Sequence, residues 1–181
     1  MQRPSLLISG VIHNHPGNDL LLPLLEGFSP TVIALELTRH SIWIRNHLKS
    51  RLVEESAELK KELVLPTELN TVQHYCKNHG ISWTPVDSEL TSLSFMGELA
   101  TDLLKGVKII PQPPLPYPIP SSSQGPFWNF RESVIVQRIQ QLAKYGHPRI
   151  ALICGYVHVE ALAKRFLSLN YEVEHKIIRY P

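Results

Sequence analysis

LLISGVIH at Leu6–His13 and IALICGYVH at Ile150–His158 share one construction: an apolar run, then Gly-x-x-His, with a segment of helical character beyond it. An apolar run of this length closed by a turn signal reads as a strand buried in a parallel sheet, where helices cover both faces. The glycine lets the chain turn tightly at the carboxyl end of the strand, and the histidine three positions on falls in the first turn beyond it. A lone Gly-x-x-His arises easily by chance. Two copies, each closing a buried strand, place His13 and His158 at the same sheet edge.

Outward from these two stretches, short apolar runs alternate with longer segments of helical period, as in β-α units around a central sheet. Strands are expected at Ser5–Ile12, Thr31–Leu35, Ser82–Val86, Arg149–Cys154 and Tyr171–Ile178. Helices are expected near Asp19–Glu26, Arg39–Leu63, Leu69–His79, Leu93–Lys105, Arg131–Tyr145 and Val159–Leu169. Thr38 is placed to cap the second helix, and Gly80 and Gly146 stand where helix ends need a left-handed residue. The expected fold is therefore α/β, a mostly parallel central sheet flanked by helices, organised as a single domain over residues 1–181. One proline-rich connection, PQPPLPYPIPSSSQGP at Pro111–Pro126, interrupts it. Proline removes a backbone donor and clashes with the preceding turn, so this stretch reads as an extended linker or as a flap over the site.

Composition narrows the function. With 181 residues, 43% hydrophobic, 19% charged and a formal net charge of +2, the chain has material for a sizeable core and no polybasic stripe for nucleic acid. No segment approaches about 18 consecutive apolar residues, so no membrane span is expected. The stretch Leu6–Ile12 is too short for a span and lacks a small-residue cleavage site. The two cysteines, Cys76 and Cys154, fit no metal or redox spacing and read as reduced thiols, which leans towards the cytoplasm.

Two further strands end in carboxylates: TVIALE in Glu36 and ISWTPVD in Asp87. Ligands in open α/β sheets bind outside the carboxyl ends of the strands, so His13, Glu36, Asp87 and His158 form one candidate site. Imidazoles and carboxylates together suit a divalent metal ion or general acid-base chemistry. Each has a plain structural alternative: histidines satisfied by backbone carbonyls at a turn, and carboxylates capping the next helix. His15 shares a face with His13 if the segment stays extended, and it is a possible further ligand, pocket residue or surface group. In GPFWNFRESVIVQRI, at Gly125–Ile139, Arg131 leads a helix and has the geometry to hold a carboxylate or a developing oxyanion. The plain alternative leaves Arg131 and Glu132 on a solvated first turn beside a hydrophobic staple. Cys154, close to His158, is read as a buried strand residue rather than a nucleophile.

ISGVIHNHP, VIALEL, FRESVIVQRI and LICGYVHVEALAKRFL, in this order, resemble the pattern of the TraB/Tiki-like superfamily, which also gathers erythromycin esterase-like and ChaN-like proteins. The resemblance implies an α/β core with a site at one sheet edge, His13 and His158 as the paired motif histidines, Glu36 as the strand-ending acid and Arg131 as the helix-leading basic residue. It departs from the family after Glu36, where Arg39 and Arg45 leave the register of the usual arginine open. The family includes metal-dependent peptidases, an esterase and haem-associated proteins. The leading expectation is a metal-dependent hydrolase of an ester or amide (peptide) bond, with His13, His158 and Glu36 holding a divalent ion. Glu36 is alternatively the base, with Arg131 on the oxyanion. The competing expectations are a haem or small-ligand binding protein without turnover, and an interaction module without a ligand. A homodimer is possible through an exposed sheet edge.

Overall fold

The computed structural model describes residues 3–13, 15–43, 66–89 and 126–180. Five strands, β1 (Ser5–Val11), β2 (Val32–Leu35), β3 (Ser82–Pro85), β4 (Arg149–Gly155) and β5 (Glu172–Ile177), form one sheet in the order β3-β2-β4-β1-β5. Every neighbouring pair is parallel. All five coincide with the expected strands to within one or two residues at each end. The reason is visible in β1 and β4, whose side chains are buried on both faces from the second residue onwards.

Alternate residues of these strands feed two separate cores. Leu6, Ile8, Ala34, Ile150 and Leu152 pack with α3 (Pro126–Lys144) and α4 (Val159–Ser168) through Ile135, Ile139, Leu162 and Phe166. Leu7, Val11, Ile33, Leu35 and Ile153 pack on the opposite face against α1 (Leu21–Phe28) and α2 (Thr67–His79) through Leu25, Leu69 and Val72. The architecture is thus three layers, helix, sheet and helix, as a parallel sheet requires. β5 lies at one edge, with Glu172, Glu174 and Lys176 on one face and His175, on the other, also exposed. Charges on an edge strand discourage pairing with another sheet.

Helix ends follow local chemistry. Gly80 and Gly146 adopt positive φ, 64° and 93°, as their positions after helices demand. Thr38 Oγ1 accepts from the Ser41 amide at 2.9 Å, the expected cap. Two expectations need correction. α1 is preceded by a 3-10 turn at Pro16–Leu20, which takes up Asp19 and Leu20. α3 starts at Pro126 rather than at Arg131. Proline is well suited to the first helical turn, where its missing N–H has no acceptor to lose, so the last residue of the proline-rich stretch begins a helix. The helix expected at Arg39–Leu63 is described only as a helical turn at 39–43. The rest of that helix, the one at Leu93–Lys105, and residues 111–125 of the proline-rich stretch lie outside the described residues.

The motif glycines serve close approach rather than unusual backbone. Gly155 has φ −56° and ψ 135°, ordinary for any residue. A Cβ on Gly10 would lie 2.6 Å from Val159 Cγ2 and 2.9 Å from Tyr156 Cα, so β1 passes directly beneath the turn that leads into α4. Gly10→Ala is expected to destabilise the protein by about 1–3 kcal/mol through overpacking. Urea denaturation measures this, and a loss below about 0.5 kcal/mol would show that the turn yields without cost.

Candidate functional site

The strand order lays the carboxyl ends of β3, β2, β4 and β1 side by side, so the residues that follow them run along the edge as Asp87, Glu36, His158 and His13. Glu36 is the centre of this row. The Glu36 amide donates to Ile153 O at 2.9 Å, continuing the ladder between β2 and β4 by one residue and directing its side chain over the end of β4. Its Oε2 accepts from the Gly155 amide at 2.6 Å. Its Oε1 lies 2.5 Å from an Arg131 terminal nitrogen and 3.2 Å from His158 Nε2. It does not cap a helix.

Arg131 reaches across from the second turn of α3. It bonds Asp87 through two nitrogens, Nε to Oδ1 at 3.2 Å and a terminal nitrogen to Oδ2 at 2.7 Å, and it shares that terminal nitrogen with Glu36. The fork geometry of guanidinium permits such simultaneous engagement. Asp87 Oδ1 also accepts from the adjacent Ser88 amide at 2.7 Å, a local turn contact made alongside the one to Arg131. Trp128, one turn earlier on α3, stacks on His158 with ring centroids 4.6 Å apart, and the Arg131 guanidinium lies 5.7 Å from its ring.

The two histidines are held alike. His13 Nδ1 lies 2.5 Å from Glu68 Oε1, and His158 Nδ1 lies 3.1 Å from Glu132 Oε1. Both glutamates are buried. Each imidazole therefore has a carboxylate behind it and its Nε2 turned towards Glu36. For His158 the contact to Glu36 is direct. For His13, a Cβ placed on Gly155 would lie 3.2 Å from His13 Nε2 and 3.5 Å from Glu36 Oε2, so these two atoms border the same small space. They differ in access: the His13 side chain is 43% exposed and that of His158 is 1% exposed.

Charge explains the protonation of the group. Glu36, Glu68, Asp87 and Glu132 are all buried carboxylates, and the guanidinium among them is Arg131. Arg165 approaches Glu132 Oε2 to 3.2 Å from a side chain one-third exposed, without hydrogen-bond alignment. Arg138 bonds the Asp87 carbonyl at 2.5 Å. Burial disfavours charge on Glu36, yet His158 and, beyond it, His13 and Arg131 outweigh this and bring its pKa down to about 2. Burial likewise opposes charge on His158, and Glu36 and Glu132 overcome it to raise the pKa to about 9. His13 moves in the same direction, burial being outweighed by the hydrogen bond to Glu68 and the charge of Glu36.

His15 does not join the cluster: its Nδ1 accepts from the Gly17 amide at 3.0 Å, and its ring packs on Tyr180 at 3.7 Å. Cys154 is fully buried, and burial, with Glu36 and Glu132 adding to it, pushes its thiol pKa well up, which removes the thiolate a nucleophile requires. Glu132, which the plain alternative left on a solvated first turn, is wholly buried, because α3 begins a turn earlier than expected and carries it under His158. Sequence reasoning did not single out Glu68, Asn18 or Tyr180. Glu68 fell just before the expected start of α2, and Pro66, which directly precedes the observed helix, was the available signal.

A divalent ion and haem make different demands on these residues. Among the described residues no three His, Cys, Asp or Glu side chains are arranged as a ready metal cage. The donor chemistry nevertheless fits a cation: two imidazole Nε2 atoms and a carboxylate border one region where buried negative charge is in excess. Haem fits less well at His158, whose two ring nitrogens are both engaged and whose side chain is sealed. A cleft of about 320 Å³, lined by Asp19, Thr71 and His74 among others, adjoins the Glu68 network through Asn18 and Thr67. Among the described residues no helix is long and apolar enough to cross a membrane. Compared with family models, curated proteins and solved structures, the chain matches none.

The sign of the pH dependence follows from the two large shifts. Glu36, lowered from 4.5 to about 2, contributes stability that is present above pH 4.5 and lost as pH falls towards 2. His158, raised from 6.5 to about 9, contributes stability that is present below pH 6.5 and lost as pH rises towards 9. With a chelator present, thermal stability is expected to be greatest between these limits, and His158→Gln is expected to flatten the alkaline limb. An alkaline limb of unchanged steepness in that variant would assign it to other groups.

Proposed function

We propose that this chain is a hydrolase of ester or amide bonds, peptide bonds included, and that it works with a divalent metal ion held by His13, His158 and Glu36. The observation that carries this reading is the repeated unit in which a buried glutamate bonds Nδ1 of an imidazole whose Nε2 is turned towards Glu36. A carboxylate behind the far nitrogen is how proteins fix the tautomer and direction of histidine ligands. The excess of buried carboxylates supports it too, since a cation would answer the same deficit of positive charge that protons on His13 and His158 now answer. The reading agrees with the TraB/Tiki-like resemblance, and we propose membership of that superfamily on the same residues.

When bound, a divalent ion supplies Lewis-acid polarisation of a carbonyl and lowers the pKa of water. The protein's own groups divide the remaining work. Glu36, with its depressed pKa and its tie to Arg131, is a poor base and is better suited as an anionic ligand. Arg131 holds Glu36 and Asp87 in place, so its first task is to fix the acid rather than to meet the substrate. His13, exposed on one side and oriented by Glu68, is the ligand of the pair that lies open to an incoming molecule. The polar cleft beside Asn18 and Thr67 is where we place the polar portion of a substrate.

A second reading, hydrolysis without metal, rests on the 2.5 Å His13–Glu68 pair, in which a carboxylate orients an accessible imidazole as in acid-base hydrolases. Elemental analysis after reconstitution, together with ester and peptide hydrolysis, separates the two. We expect near-stoichiometric metal in the wild type, its loss in Glu36→Gln, and a fall in hydrolysis of about 100-fold or more in His13→Ala. Hydrolysis by a metal-free wild type that still depends on His13 would move the assignment to the second reading. Absence of both metal and hydrolysis would sink both. His158→Ala is a poor probe, because it leaves Glu36 and Glu132 short of a buried partner, a defect costing about 3–5 kcal/mol.

A further inference from the structure

Beyond β5 the chain returns to the His13 loop, and Tyr180 enters a run of hydrogen bonds that ends on the candidate site. The Ile12 amide donates to the Tyr180 hydroxyl at 3.4 Å, and that hydroxyl donates to Asn18 Oδ1. Asn18 is buried, and its Nδ2 donates to Glu68 Oε2 at 3.0 Å and to Thr67 Oγ1 at 2.9 Å. Glu68 Oε1 then meets His13 Nδ1. The ring of Tyr180 is seated by His15 and by Gly17, where a Cβ would lie 2.9 Å from Tyr180 Cδ1.

The direction of each bond in this run is fixed by chemistry. An amide N–H can only donate, so the Tyr180 oxygen accepts from Ile12 and its own proton is left for Asn18 Oδ1. With Oδ1 taken by a donor, the Asn18 side chain has its NH2 facing Glu68, and an ionised carboxylate accepts on both oxygens. His13 must then carry its proton on Nδ1, which leaves Nε2 bare on the side facing Gly155 and Glu36. Were Asn18 to flip, its carbonyl oxygen would confront the Glu68 carboxylate, a repulsive contact.

We propose that Tyr180 is a positioning residue which, through Asn18 and Glu68, sets the tautomer of His13 and so presents Nε2 as the working atom of the site. The use of Nε2 for a metal ion rests on the function proposed above; the tautomer does not. The ring contacts of Tyr180 with His15 and Gly17 would remain in Tyr180→Phe. The substitution removes the hydroxyl's bonds to the Ile12 amide and to Asn18 Oδ1. Asn18 then loses the donor that anchors its Oδ1, the alignment of Nδ2 on Glu68 loosens, and the preference of His13 for Nδ1–H weakens.

The test uses the full chain with histidine labelled with 15N, in the metal-free state, at a pH where His13 is neutral. Side-chain 15N shifts are expected to report Nδ1–H as the dominant tautomer of His13 in the wild type. In Tyr180→Phe the Nε2–H form should rise to a comparable population, and Zn2+ affinity, read by calorimetry, should fall about 10-fold or more. Asn18→Asp, nearly the same shape but unable to donate to Glu68, should produce the same change and serves if Tyr180→Phe fails to fold. An unchanged tautomer in a folded variant overturns the relay, whatever happens to melting temperature. A changed tautomer with no Zn2+ binding in either protein keeps the relay and retires the metal.

Discussion

The carboxylate of Glu36 is the point on which the edge of the sheet depends. A buried carboxylate costs several kcal/mol in lost hydration unless its oxygens are fully engaged. Glu36 meets that requirement by drawing in three separate parts of the chain: the end of β4 through the Gly155 amide, α3 through Arg131, and the turn before α4 through His158. None of these partners is optional. Arg131 is in turn pinned by Asp87 at the end of β3, so the row of strand ends is cross-linked by charge above a sheet that is otherwise held together by apolar packing.

This arrangement explains which parts of the structure were legible in the sequence. The strands were, because a strand in a parallel sheet with helices on both faces is apolar throughout, and Leu6–Val11 or Ile150–Cys154 has few other ways to be read. The four edge residues were legible for a related reason: a charged or titratable group directly after such a run has to lie at the strand's carboxyl end. The starts of α2 and α3 were not. Pro126 reads as a breaker when it closes a proline-rich stretch, and as a helix opener only when the following residues are known to pack. With α3 set to begin at Arg131, Glu132 became a first-turn residue with no site role assigned, and Trp128 a residue before the helix, where a place in the pocket wall was one reading.

Glu68 and Glu132 also show a limit of principle. Hydrophobic periodicity announces which face of a helix is buried by its apolar residues; a glutamate on that face looks like an interruption unless its partner is known. Glu68 is buried because of His13, 55 residues earlier, and Glu132 because of His158, 26 residues later. Arg131 and Glu132 are separated by about 100° around the helix, enough for one to reach Glu36 and Asp87 while the other passes beneath His158.

The duplicated motif therefore produces two unlike histidines from the same local sequence. Both glycines permit close approach, but with different consequences: Gly10 lets β1 pass under the turn at Tyr156, whereas Gly155 leaves open the space between His13 Nε2 and Glu36 Oε2. The turn after β4 passes straight into α4 and is covered by Trp128, which seals His158 between Glu36 and Glu132. The turn after β1 is broken by Pro16 and Gly17, does not enter a long helix at once, and leaves His13 open to solvent on one side. In the metal-free protein a sealed imidazole with two carboxylates suits a fixed charge that holds Glu36 ionised; an open one backed by a single carboxylate suits exchange with a ligand or a proton. The asymmetry of access, which the sequence repeat conceals, makes His13 rather than His158 the side of the pair on which chemistry with an outside molecule can take place.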